Sequence, residues 1–143
     1  PLALQGDDLH HIMEIMNDLV AYLRKHWQVE VSKQRHRQLI LAVIRGDVAS
    51  TRALLEAGAD PNLQNEEGGT CLHIAAMRCE LLVAEALISH GADLCQQDSR
   101  GRTAAHQIPL FCTEETVRIF QVLASPKVLS IRNEQGMSVY ERF

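Results

Sequence analysis

Along the first part of the chain, Leu9, Ile12, Met13, Met16, Leu19, Val20, Leu23 and Trp27 recur at three- and four-residue steps with polar residues between them. That spacing lines one face of a 3.6-residue period and predicts a single amphipathic helix over about residues 7–28. Further on the apolar clusters are shorter and punctuated by glycine. Residues 70–76 and 83–89 predict a helix pair bounded by Gly68-Gly69 and Gly91, glycine being suited to the left-handed backbone that ends a helix. A start at Thr103 meets Pro109, which lacks a donor and clashes with the preceding turn at about 3 kcal/mol in a regular helix, so this helix is expected to stop or kink near Ile108. The next runs from about Thr113, with Glu114 and Glu115 well placed in its first turn, to about Ala124, where Ser125-Pro126 is expected to end it.

These elements repeat. Gly58-Ala59-Asp60 returns as Gly91-Ala92-Asp93 and Gly68-x-Thr70 as Gly101-x-Thr103, both after 33 residues, and Gly136-x-Ser138 follows Gly101 by 35. A period of this length marks a solenoid, in which each unit buries its apolar face against the next. Within a unit, Thr70 and Thr103 stand at helix starts, and His73 and His106, three residues on, can bond back to them or across to a neighbouring turn. Ala75 and Ala76 keep the packing face thin, while Leu72, Val83 and Leu87 supply buried bulk.

The turn at 65–69, the run Thr70-Cys71-Leu72-His73 and the closing Gly91-Ala92-Asp93 resemble the ankyrin repeat, with Cys71 in place of the usual proline. The resemblance covers roughly residues 37–143. It implies an all-α solenoid of about three helix-turn-helix repeats. The layout is an N-terminal helical cap over 1–31, a degenerate repeat over 32–64 that has Arg37-Gln38-Leu39-Ile40 at the helix start, a repeat over 65–97, a second degenerate repeat over 98–132, and a partial fourth over 133–143. The few irregular repeats behind a long helix also resemble in layout the C-terminal ankyrin region of bacterial secreted effectors, including arginine ADP-riboxanases, which implies a host caspase as partner and the host cytosol as location.

Composition narrows the chemistry. A net charge of −4 over 143 residues gives nucleic acid no electrostatic attraction. No apolar run nears the roughly 20 residues needed to cross a bilayer, and residues 1–8 lack a signal-peptide pattern. Cys71, Cys79, Cys95 and Cys112 form no CxxC pair, which fits free thiols in the cytoplasm or another reducing compartment better than a disulfide scaffold. Their spacing with His73 suits repeat positions rather than a zinc site. Cys112 with His106 has no sign of an activated thiolate. Glycine loops for phosphate, HExxH and GxSxG are missing. No catalytic residue, metal or cofactor is expected.

Ankyrin-like domains hold proteins with their turn tips and the exposed side of their first helices. The positions this leaves for recognition are Ile44, Arg45, Met77, Arg78, Leu110 and Phe111 at helix ends, and Glu66, Glu67, Arg100 and Arg102 at turns. The expected function is therefore binding of a protein partner by a chain that is monomeric on its own. The other readings are a substrate-docking domain of a larger enzyme and a scaffold that self-associates through its incomplete fourth repeat.

Overall fold

The computed structural model describes residues 5–110 and 113–142. The chain separates into two units, one up to Gln34 and one from Arg35. Among the described residues every element is helical, and no helix is long and apolar enough to cross a membrane.

The first unit is the N-terminal stretch of helix α1 (Gly6–Arg45), with Asp7 and Asp8 in its first turn, where acidic side chains complement the helix dipole. Every residue from 5 to 30 is exposed, including the apolar series. Helix α1 does not stop near residue 28 but continues to Arg45. No glycine or proline interrupts the chain between Gly6 and Gly46, and Lys33, Gln34, Arg35, Arg37 and Gln38 are straight-chain helix formers. The unusual residues at 37–40 follow from this: there is no helix start there to cap.

The second unit begins in the last turns of α1, whose Leu39, Ala42 and Val43 are buried. Helices α2 (Val48–Glu56), α4 (Leu81–Ser89) and α5 (Glu114–Leu123) neighbour one another in one layer. Helix α3 (Cys71–Met77) and the 3-10 turn Ala104–Gln107 pack together in the other. The core between them contains Leu39, Val43, Leu72, Val83, Leu87, Ile108, Ile119 and Leu123, and it reaches on to Val128 and Val139. Ala75, Ala84 and Ala105 are completely buried, so the backbones approach where alanine leaves room.

The third inner helix is cut to one 3-10 turn capped at Ile108, which takes an extended conformation directly before Pro109; a residue preceding proline is pushed out of the helical region. Ser125-Pro126 departs from expectation. It ends α5 and also opens a one-turn helix, α6 (Pro126–Leu129), with Ser125 accepting from the Val128 amide at 3.3 Å. Proline at the first helical position loses nothing, since its missing donor would be unpaired there. The last element is α7 (Val139–Arg142).

Cys79 takes φ +54° where the equivalent position one repeat earlier, Gly46, takes φ +67°. A left-handed non-glycine residue is strained by about 1–3 kcal/mol. Cys112 occupies the next equivalent position and lies outside the described residues.

Candidate protein-binding surface

Three five-residue turns of one design project from the second unit. In the first, the Asn65 carboxamide oxygen accepts from the amides of Glu67 at 3.0 Å and Gly69 at 2.9 Å. Asp98 does the same for Arg100 at 3.0 Å and Arg102 at 2.9 Å, and Asn133 for Gln135 and Met137, both at 3.0 Å. Asn and Asp close such turns because a short acceptor reaches the amide two residues on. The signal was present in the sequence as an Asn or Asp three residues before Gly68, Gly101 and Gly136, and it was missed. So was Gln64, whose side chain donates to Gly68 of its own turn at 2.9 Å and Gln97 of the next at 3.2 Å.

The turns are joined tip to tip. Ser99 N–H donates to the Glu67 carbonyl at 2.9 Å, and Glu134 N–H to the Arg100 carbonyl at 2.8 Å. Behind them the histidines form a second tie. Thr70 N–H donates to His73 Nδ1 at 3.1 Å, and His73 Nε2 lies 2.8 Å from the carbonyl of Arg102 in the next turn. Thr103, His106 and the Met137 carbonyl repeat the arrangement at 3.1 and 3.2 Å. Each ring must be neutral, with Nδ1 accepting and Nε2–H donating.

Burial accordingly lowers the pKa of His73 and His106, opposed by the carbonyl bond each ring makes, and burial lowers that of His36, opposed by Asp60. The unfolded chain then binds more protons than the folded one just below the ordinary value of 6.5. Stability of the second unit is expected to be level above about pH 6.5 and to fall as the pH drops from there through the lowered folded values. Urea unfolding across pH 5–8 measures this; a midpoint that rises on acidification from pH 7 would contradict it.

The helix-end positions keep one register. Ile44, Met77 and Leu110 are spaced by 33 residues and are 40%, 52% and 55% exposed. Arg45 and Arg78, the next residue in each case, are also exposed; Phe111 lies outside the described residues. Glu66, Glu67 and Arg100 are exposed at turn tips. Arg102 is held back. Its Nε donates to Asp98 Oδ2 at 2.9 Å, and the Asp98 side chain is almost fully buried. Burial by itself would raise the Asp98 carboxyl, but bonds from the Arg102 amide, the Arg102 side chain and the Arg100 amide bring it below the usual range. Arg100 and Arg102 line a cleft with His106 and Arg142, and Arg142 Nη1 is buried with no partner among the described residues.

The remaining chemistry is structural. Burial pushes the Cys71 thiol up to about 12, and burial together with Glu115 and Glu80 raises that of Cys79; thiols shifted this way are poor nucleophiles. Among the described residues no three His, Cys, Asp or Glu side chains converge as metal ligands do.

Short helix pairs tied in register by tip-to-tip turns define a helical repeat solenoid. A model of ankyrin repeats in three copies matches residues 39–121, more than half of the chain, which therefore belongs to the ankyrin-repeat family. It is similar to ankyrin repeat domain-containing protein 46 of Danio rerio, 47% identical over 47 residues, covering 33% of this chain and 21% of that protein. The rat protein of the same name is 44% identical over 50 residues, covering 35% and 22%. The matched segment is thus about a fifth of each relative. Ankyrin repeats are generally modules for protein–protein interaction.

Proposed function

We propose that this chain is a recognition module that holds one protein partner against the inner-helix ends and turn tips of its ankyrin stack. The observation that carries the reading is the exposed register Ile44, Met77, Leu110, flanked by Arg45 and Arg78. Large apolar side chains beside arginine are the composition of interface centres, and a neatly repeated row of them is more than scattered surface exposure. Glu66, Glu67 and Arg100 at the tips form the polar rim of this surface. Arg102 supports it from inside the turn, and Phe111 stands at the sequence position equivalent to Arg45 and Arg78. Catalysis is not part of the reading: His73 and His106 are committed to the turns.

The test is capture of binding proteins with this chain and with a Met77→Glu, Leu110→Glu variant. The variant is expected to lose at least about tenfold in affinity for whatever the parent retains, with its urea midpoint unchanged because both side chains face solvent. Full retention of the partner by the folded variant sinks the assignment.

A further inference from the structure

We propose that the cleft between the second and third turns binds one carboxylate, the side chain of an aspartate or glutamate on the protein partner, a contact that rests on the reading of this chain as a recognition module. The cleft has a volume of about 190 Å³ and is lined by Arg100, Arg102, His106, Glu134 and Arg142 among others. Sites that enclose a whole small molecule run to roughly 300–1,000 Å³. This one suits the head of a single side chain.

The state of Arg142 calls for an anion. Its Nη1 is buried with no hydrogen-bond partner among the described residues, and a charged donor left in that state is costly. The acid of the adjoining turn is already spent. Asp98 accepts from the Arg100 and Arg102 amides, from Arg102 Nε and from Gln107 Nε2, which takes up the roughly four lone-pair sites that a carboxylate has. Glu141, beside Arg142 in α7, pairs with Arg132 at 2.8 Å. Burial and the Arg102 guanidinium both work against the positive charge of Arg142, and an anion in the cleft relieves both. Guanidinium charge is delocalised over a planar group, so an oxygen against the side that lines the cleft also compensates the buried side.

Charge decides which anion. His106 is neutral, with Nε2 turned to the Met137 carbonyl. The guanidiniums of Arg100, Arg102 and Arg142 therefore face the carboxylates of Asp98, bonded to Arg102, and of Glu134, exposed in the lining. One positive charge is in excess. A single carboxylate neutralises it, whereas a phosphate dianion overshoots and is repelled by Glu134; a like charge placed against the wrong ligand is how such a site discriminates.

Titration of the whole chain with hexaglutamate, followed by amide NMR, reads the cleft without any partner. Hexaglutamate is expected to shift the signals of residues 100–102 and 133–137, and hexaglutamine to leave them in place. Arg142→Met and Arg100→Gln should each weaken hexaglutamate binding at least about tenfold, the loss that goes with one charge-assisted hydrogen bond. Arg142→Met should not lower the urea midpoint, because Nη1 has no bond to lose. Arg52→Gln removes the same charge from an exposed position on α2 and should leave binding unchanged. No shift at the cleft, an equal loss for Arg52→Gln, or a cleft that answers inorganic phosphate but not hexaglutamate overturns the proposal. None of these results touches the row of Ile44, Met77 and Leu110, and failure of that row in partner capture leaves the hexaglutamate titration as it was, so each reading falls alone.

Discussion

Leu72→Ala is expected to lower the stability of the ankyrin unit by about 2–5 kcal/mol, the range for removing a leucine from a packed core that collapses only partly around the space. Leu72 is 1% exposed, lies in α3 between the layers, and belongs to the cluster that includes Leu39, Val43, Val83 and Leu87. In a short stack each repeat relies on its neighbours, so a loss of this size takes a large part of a typical domain's 5–15 kcal/mol. Leu82→Ala is the internal comparison: Leu82 is 58% exposed on the outer side of α4, and its removal should change the midpoint by no more than about 0.5 kcal/mol. The single tryptophan, Trp27, lies in the first unit, so unfolding must be followed by circular dichroism or amide exchange rather than by tryptophan fluorescence. Equal effects of the two substitutions would show that the helix register is wrong.

The register was legible because the 33-residue period fixes which positions are equivalent. Once Leu72 is a core position, Leu39 follows by subtraction, even though the residues around Leu39 match no helix-start motif. What periodicity could not supply was the extent of α1. Apolar spacing marks where a helix has a face to bury, and that signal weakens after Trp27; the helix continues because nothing stops it, a property of missing breakers rather than of any pattern. Ser125-Pro126 misled in the opposite sense, since the same dipeptide terminates one helix and caps the next. That Ile44, Met77 and Leu110 are equivalent positions was readable from the period; their selection as a surface row came from the ankyrin resemblance. A pairing of Arg102 with Asp98 was an alternative the sequence already offered; what it did not offer was the depth at which Asp98 sits, because no sequence spacing reports depth.

The turns show most clearly how one residue serves both local and long-range structure, and Gly68→Ala should expose it. Gly68 has φ +75°, and a Cβ there would lie 2.8 Å from the backbone nitrogen of Ser99. Ser99 N–H is the group that donates to the Glu67 carbonyl, so a methyl group both strains its own residue and drives apart the link between consecutive turns. Left-handed strain of about 1–3 kcal/mol together with a lost hydrogen bond of about 0.5–1.5 kcal/mol gives an expected destabilisation of roughly 2–4 kcal/mol. Gly136→Ala separates the two causes. Gly136 occupies the same position of the same kind of turn at φ +74°, and no neighbouring atom lies within 4 Å of its Cβ direction. Its alanine variant should lose only about 1–2 kcal/mol, the left-handed strain. Both substitutions stiffen the unfolded chain alike, so the difference between them measures the turn-to-turn contact. Urea unfolding of the two variants reads that difference, and equal losses would mean that the tips are neighbours without being energetically joined.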